Sequence, residues 1–264
     1  MNCRKIPVIK NIFPSIFILL TSCVFWTTAA AGQVVLFDQG HGQRFFVEKG
    51  GALDLSRFAD LFAEKGIVVK TTTRQLSSDS LNSVDILVIS GPFSPVIQSE
   101  IDAVMDFLEQ GGKLVVMAHI HQPFFALFER LGVGISKGPV YEQENIIGTN
   151  PKDFRVEGIG EHPITKDVRS FNVYGGWGII SLSDDVKAIA ATGQKAWIDL
   201  DRNGRLSKRD AMQSFPVLLV GSVSRGRFAV FGDDAIFQNG FLVGNNLQLA
   251  RNLVNWLCCQ DVSI

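Results

Sequence analysis

Short, uninterrupted apolar runs alternate along the chain with stretches in which apolar residues recur every three or four positions. Glycine marks most of the junctions. The first run, Val34-Val-Leu-Phe37, leads directly into Asp38 and then Gly40-His41-Gly42. A continuous Val/Leu/Phe run predicts a strand buried on both faces, as in a parallel sheet. Leu55, Phe58, Ala59 and Phe62 then fall at helical spacing, and Gly66 stops that helix. Residues 67–72 are a β-branched strand, and 77–84 are turn-like with room for one short helix. Residues 85–90, DILVIS, form a third buried strand. Ser94-Pro95 offers a cap and first position for the next helix, whose face is Ile97, Ile101, Val104 and Leu108, with Gly111-Gly112 at its end. KLVVMA at 113–118 is the fourth strand, and a short apolar helix at 124–131 closes at Gly132. Strict β-α-β-α alternation predicts an α/β fold built on a parallel, helix-covered sheet.

The second half changes character. Residues 134–197 hold short strands and many glycines, a β-rich elaboration. Residues 215–222 and 227–231 predict two strands joined by a turn at 224–226. A final helix places Leu249, Ala250, Leu253, Val254 and Leu257 on one face. No internal repeat or low-complexity linker divides residues 32–264, so one elaborated domain is expected there.

Composition adds the compartment. Three cations (Arg4, Lys5, Lys10) and no acid occupy residues 1–31, ahead of an apolar stretch from Ile12 to Trp26 and then Ala29-Ala30-Ala31. That order predicts a signal peptide over 1–31, cleaved after Ala31, and an exported, periplasmic or extracellular domain. Two other readings stay open: Leu20-Thr-Ser-Cys23 as a lipobox with lipid on Cys23, or an uncleaved anchor. Membrane contact is expected only through this segment. Net charge over the whole chain is −1, and without the three leading cations the remainder is acidic by four, which argues against nucleic acid as a partner. Past the leading segment only Cys258 and Cys259 remain, so a disulfide framework is excluded; adjacent cysteines bridge each other only with severe strain.

The segments VLFDQGHGQ (35–43), DILVISGPFSP (85–95), GGKLVVMAHI (111–120), GRFAVFGDDAIFQNG (226–240) and NNLQLARNLVNWL (245–257), in that order, resemble the class I glutamine amidotransferase-like superfold. Within it, the nearest likeness is to exported or membrane-linked domains, including accessory proteins of gliding-type ABC transporters. The resemblance implies a flavodoxin-like parallel sheet and, in active amidotransferases, a nucleophilic Cys after the strand that KLVVMA resembles. Here that place holds Ala118-His119-Ile120, and no Gly-x-Ser/Cys-x-Gly elbow follows any predicted strand. Without an activated nucleophile acyl-enzyme chemistry cannot start, so glutaminase activity is disfavoured.

Two constellations carry candidate chemistry. Asp38, His41, His119, His121, Asp233 and Asp234 all follow predicted strands and are expected to converge on one rim, where open α/β sheets bind ligands. Three readings stand for them: a polar ligand pocket, purely structural loop residues, or a zinc or iron centre from the His and Asp side chains. The ligand reading makes the protein a non-catalytic module that binds a small polar ligand or a membrane- or transport-associated protein. The metal reading makes it a hydrolase in which His41, His119, His121 and Asp38 or Asp233 activate water. The second constellation is a twelve-residue loop, 199–210, with Asp199, Asp201, Asn203, Ser207 and Asp210 at positions 1, 3, 5, 9 and 12 and Gly204 at 6. This is an EF-hand-like calcium pattern in which Arg205 would supply its carbonyl. Its short twelfth ligand and the cations Arg202, Arg205, Lys208 and Arg209 predict weak, structural binding, on the order of 10⁻⁴–10⁻³ M. Trp177 and Tyr174 sit among glycines, as a sugar-stacking surface or a core hairpin, and His162-Pro163 reads as a turn.

Overall fold

The computed structural model describes Met1, residues 32–120 and residues 122–259. Residues 2–31, which hold the expected signal peptide and Cys23, and His121 lie outside the described residues, and so do the expectations attached to them. Among the described residues, fourteen strands and five α-helices follow one another: β1 (Val34–Asp38), α1 (Ser56–Ala63), β2 (Val68–Thr72), α2 (Ser78–Leu81), β3 (Ile86–Ser90), α3 (Gln98–Glu109), β4 (Lys113–Met117) and α4 (Phe125–Arg130). The second half adds β5 (Val133–Tyr141), β6 (Asp153–Val156), β7 (Gly158–Ile159), β8 (Phe171–Tyr174), β9 (Trp177–Ser181), β10 (Val186–Ala191), β11 (Trp197–Ile198), β12 (Ala211–Met212), β13 (Pro216–Val223), β14 (Gly226–Phe231) and α5 (Gly244–Cys258). Among the described residues, no helix is long and apolar enough to cross a membrane.

The main sheet has eight strands in the order β2-β1-β3-β4-β14-β13-β10-β7. The first five are mutually parallel, and the remaining pairs are antiparallel. A four-stranded antiparallel sheet, β12-β11-β5-β9, and the pair β6-β8 make up the elaboration. This is a mixed α/β protein with a large, mostly parallel central sheet.

The apolar runs become strands because both their faces are covered. Val35 and Phe37 of β1, Val88 of β3, Val115 of β4 and Phe231 of β14 join one core with α1 and α5. The alternate residues Leu36, Leu87, Ile89, Val116 and Val230 join the other, against α3 and α4. A strand's side chains alternate between faces, so a run without polar interruption fits a sheet buried twice over. On the α1 side, the Phe58 ring stacks on Phe237 at 4.8 Å and meets Phe37 and Phe62 edge-on. Phe237 lies three residues beyond Asp234, so this aromatic cluster anchors the segment that leaves the end of β14.

One helix start differs from the sequence expectation. Helix α3 begins at Gln98 after Ile97, not after Ser94-Pro95. The reason is hydrogen bonding: the N–H groups of Phe93 and Ser94 both donate to the His41 carbonyl, at 2.8 and 2.9 Å. Those residues tie the β3 loop to the β1 loop, and the helix starts only after that tie is made. The expected turn between β13 and β14 is present, with Ser224 at φ 52°.

Truncating the ring at the centre of the aromatic cluster tests this packing. Phe58→Ala should cost about 3–5 kcal/mol of unfolding free energy in urea titrations, the usual range for deleting a fully buried aromatic. A loss under about 1 kcal/mol would mean the cluster collapses around the gap, or packs more loosely than described.

Candidate functional site at the strand ends

In a sheet ordered β2-β1-β3-β4, the chain reverses its direction of growth between β1 and β3, and the carboxyl ends at such a switch point are where open α/β sheets bind ligands. Asp38 ends β1 and is followed by the His41 loop. Ser90 and Gly91 follow β3, His119 follows β4, and Asp233-Asp234 follow β14. Parallel pairing of these four strands puts all of these residues at one end of the sheet.

Beneath the rim lies a buried ion-paired network. His41 is only 4% exposed. Its Nδ1 lies 2.7 Å from Asp38 Oδ2, and its Nε2 lies 3.1 Å from Oε2 of Glu100 in the first turn of α3. Asp38 also accepts from the Gly40 N–H and the Gln43 amide, and Glu100 accepts from the N–H groups of Leu76 and Ile97. Burial alone would disfavour the imidazolium, but the hydrogen bonds and charges of Asp38 and Glu100 outweigh it and push the His41 pKa up to about 9. Burial likewise opposes ionisation of Glu100, and its hydrogen bonds to His41, Ile97 and Leu76 overcome it, holding the carboxyl below its ordinary value. Asp38 and His41 thus cross-link the β1 loop to α3, with both ring nitrogens of His41 engaged by carboxylates.

The second group stands at the surface. The side chain of His119 is 34% exposed, and its Nδ1 lies 3.0 Å from Oδ1 of the buried Asp234. The Asp234 bond raises the His119 pKa against the opposing effect of burial. Phe93 packs on the imidazole at 4.9 Å and Phe45 meets it edge-on at 5.8 Å, while the Arg44 guanidinium lies 4.6 Å over Phe93. Trp177 donates its indole N–H to the His119 carbonyl at 2.8 Å. The other oxygen of Asp234, Oδ2, is buried without a hydrogen-bond partner, as is Ser90 Oγ. Gly91 permits this arrangement: its φ is 52°, and a Cβ there would collide with Asp234 Oδ2. Asp233 is spent differently, accepting from the N–H groups of Tyr174 and Ala235. Burial and the neighbouring Asp234 charge push its pKa up to about 8, and burial raises Asp234 too, against the pull of His119.

The sequence-predicted rim residues therefore divide. His119 reaches the surface, Asp38, His41 and Asp233 are buried and hydrogen-bonded, and His121 is outside the described residues. Among the described residues, the strand-end His and Asp side chains do not gather closely enough to share one metal ion, whereas Asp199, Asp201 and Asp210 do. Glu100 and the pairing of His119 with Asp234 escaped the sequence reading. Glu100 does carry a signal, because it falls on the apolar stripe of α3, three residues after Ile97 and four before Val104.

The loop at 199–210 joins β11 to β12, which pair antiparallel, so it caps a hairpin and not a pair of helices. One ligand-type oxygen from each of Asp199, Asp201 and Asp210 lies within 4.8 Å of the others. Asp199 accepts from the N–H groups of Asn203 and Gly204, and Asp210 from those of Leu200 and Ser207. Asn203 accepts from the Arg205 N–H, and the Ser207 hydroxyl reaches Asp201 at 3.2 Å. Elsewhere, Tyr174 stacks on Phe241 at 4.0 Å, and His162 accepts the Ile164 N–H as a turn residue.

Fold and site together describe a mixed α/β domain with a histidine-carboxylate pair at its strand ends. The chain belongs to the DUF4350 family, a domain of unknown function, whose profile matches residues 54–254. None of the curated proteins compared with it matches. Among solved structures, the mmIFT52 N-terminal domain is similar at 17% identity and TM-score 0.69, over 88% of this chain and 100% of that one. A cytoplasmic protein from Salmonella typhimurium LT2 is similar at 15% identity and TM-score 0.56, over 85% and 99%. A ThuA-like protein from Bacteroides uniformis is similar at 18% identity and TM-score 0.50, over 90% and 97%. At these identities the shared property is the fold.

The buried network has a pH signature. The folded pKa of His41 lies above its ordinary 6.5, so its stabilisation is complete below about pH 6.5 and is lost as pH rises through about 9. At 1.36 kcal/mol per unit, that loss is on the order of 3 kcal/mol. Asp233 acts in the same direction, because a carboxyl easier to protonate when folded loses stability as pH rises toward 8. Urea titrations from pH 6 to 10 should show this decline. His41→Gln should flatten it and lower stability at pH 6 by about 3–5 kcal/mol, since two buried carboxylates lose their counter-charge. A wild-type profile level across that range would refute the network as described.

Proposed function

We propose that this chain is a ligand-binding module that takes a small polar molecule at the strand-end rim over His119, in a flavodoxin-like domain of the class I glutamine amidotransferase type. The observation that carries this reading is an imidazole one-third exposed and oriented by a buried carboxylate whose second oxygen lacks a partner. A built site with unspent hydrogen-bonding capacity is what a polar ligand completes. The strand order and the ThuA-like neighbour support the fold assignment. Because Ala118-His119-Ile120 stands where an amidotransferase nucleophile would, the reading is one of binding without acyl transfer. The basic-then-apolar composition of residues 1–31 supports export of the module, and the resemblance to transporter accessory domains supports a membrane- or transport-associated setting.

The test is thermal shift of the full chain against pools of sugars, nucleotides and short peptides, followed by titration of the His119 ring resonances by NMR. A ligand at the rim should raise the melting temperature, displace those resonances and lose its effect in His119→Gln. Asp234→Asn should lower the His119 pKa whether or not a ligand is present. If no pool moves either signal while Asp234→Asn still does, the pair is structural and the ligand reading fails.

A structural calcium ion in loop 199–210 is the second element of this reading, favoured by the convergence of three carboxylates in a loop with EF-hand spacing. Asp199, Asp201, Asn203 and Asp210 would give side-chain oxygens, Arg205 its carbonyl, and Ser207 a direct or water-bridged contact. Its role would be to order the β11–β12 connection. Millimolar calcium should raise the melting temperature relative to chelator, more than magnesium does, and the gain should vanish in Asp199→Ala/Asp201→Ala. Identical curves in calcium and chelator would reduce the loop to a turn.

A further inference from the structure

The charges around His119 narrow what the strand-end rim can hold. Arg44, in the loop after β1, is exposed. Its guanidinium lies 4.6 Å over the Phe93 ring, and Phe93 packs on the His119 imidazole at 4.9 Å. The guanidinium is close enough for its charge to oppose protonation of His119. Among the described residues, Arg44 meets no acid or hydrogen-bond acceptor, and His119 engages Asp234 through Nδ1 while its Nε2 takes no partner. The main-chain N–H groups of Gly42, Gln43, Arg44 and Phe45 likewise meet no acceptor among the described residues. The nearby acids are spent. Asp233 accepts the N–H groups of Tyr174 and Ala235 and, with its pKa pushed up to about 8, is largely uncharged at neutral pH. Asp234 is engaged by His119, and its second oxygen is buried against Gly91. Glu48, exposed further along the loop, accepts from the Gln39 amide. Asp234 offsets no more than the imidazolium, so the guanidinium keeps an uncompensated positive charge.

We propose that the ligand of this rim is a small organic oxyanion, a carboxylate or a phosphate ester, held by Arg44 and His119 with its apolar part against Phe45 and Phe93. This rests on the ligand reading above and narrows it to one chemical class. A guanidinium is a planar fork of N–H donors matched to the oxygens of carboxylates and phosphates. Positive groups held near each other repel, and an anion shared by them relieves that repulsion. Stacking on Phe93 holds the guanidinium in place beforehand, so less freedom is lost on binding. Phe45 and Phe93 are half-buried and flank the imidazole, so an organic group gains contacts that a bare ion lacks. The donor that Asp234 Oδ2 lacks would come from a hydroxyl on the same ligand.

Three probes test this on the full chain at low ionic strength: mandelate, phenyl phosphate, and phenylethane-1,2-diol as the neutral counterpart of mandelate. Each is titrated while the His119 ring resonances are followed by NMR and the heat by calorimetry. At least one anion should displace the resonances and bind at least roughly tenfold more tightly than the diol, and the tighter of the two identifies the oxyanion. Arg44→Gln should weaken that anion by at least roughly tenfold, and Arg44→Lys, which keeps the charge without the fork, should restore part of the loss. Added salt should weaken the wild type more than Arg44→Gln. Arg44 is exposed, so equal melting temperatures separate lost binding from lost fold. The inference is overturned if neither anion moves the His119 resonances, if the diol binds as tightly, or if Arg44→Gln leaves binding intact. A neutral sugar from the pools above that binds at His119 without needing Arg44 overturns it while keeping the broader ligand reading. Silence from every pool and from both anions removes the two together.

Discussion

An imidazole enclosed by two carboxylates holds the strand-end architecture in place. His41 sits between Asp38, at the end of β1, and Glu100, at the start of α3. Its main-chain carbonyl simultaneously receives two N–H groups from the segment that leaves β3. One residue therefore fastens three separate parts of the chain. Charges this deep are tolerable only as a satisfied set, and each partner here has further hydrogen bonds from backbone or amide groups. Glu100 lends the geometry to the first turn of α3 and, by accepting the Leu76 N–H, to the connection from β2.

That fastening decides what remains available at the surface. With the β1 loop fixed by this network, Phe45 and Phe93 both pack against His119, and Asp234 reaches the same imidazole from the end of β14. The parallel pairing of β3, β4 and β14 delivers these groups, and Gly91 removes the side chain that would obstruct them. The result is a division of labour between neighbouring histidines. The buried one cements loops, and the partly exposed one is oriented from below by a carboxylate whose second oxygen is buried without a partner.

Much of this was legible in the residues because parallel strands buried on both faces leave a plain trace. The runs at 34–37, 86–89 and 114–117 admit few polar residues, and their glycine-marked ends indicate where loops emerge. The helix faces of α1 and α5 were equally readable from their spacing. What the residues concealed were relationships between distant segments. Nothing local says that Asp38 and His41 turn inward to meet Glu100, or that His119 pairs with Asp234 and not with His41. The start of α3 was misplaced for the same reason: Ser94-Pro95 is a good local cap, and a long-range hydrogen-bond pair to the His41 carbonyl overrode it. In the elaboration, β12 is only two residues long, too short for a periodicity to register.

The separation of the paired groups along the chain has a bearing on biogenesis. His119 and Asp234 stand 115 residues apart, and β14, which carries Asp234, docks between β4 and β13 near the middle of the main sheet. Contacts of such long range close large loops and are characteristic of slowly assembled topologies. During synthesis, β1 to β4 can emerge in order while the carboxylate that orients His119 has yet to be made. The pairing of His119 with Asp234 is accordingly completed in the closing stages of folding, when the hairpin of β13 and β14 enters the sheet. A chain that has not yet added β14 holds the histidine without its carboxylate partner, so this ion pair distinguishes finished molecules from unfinished ones.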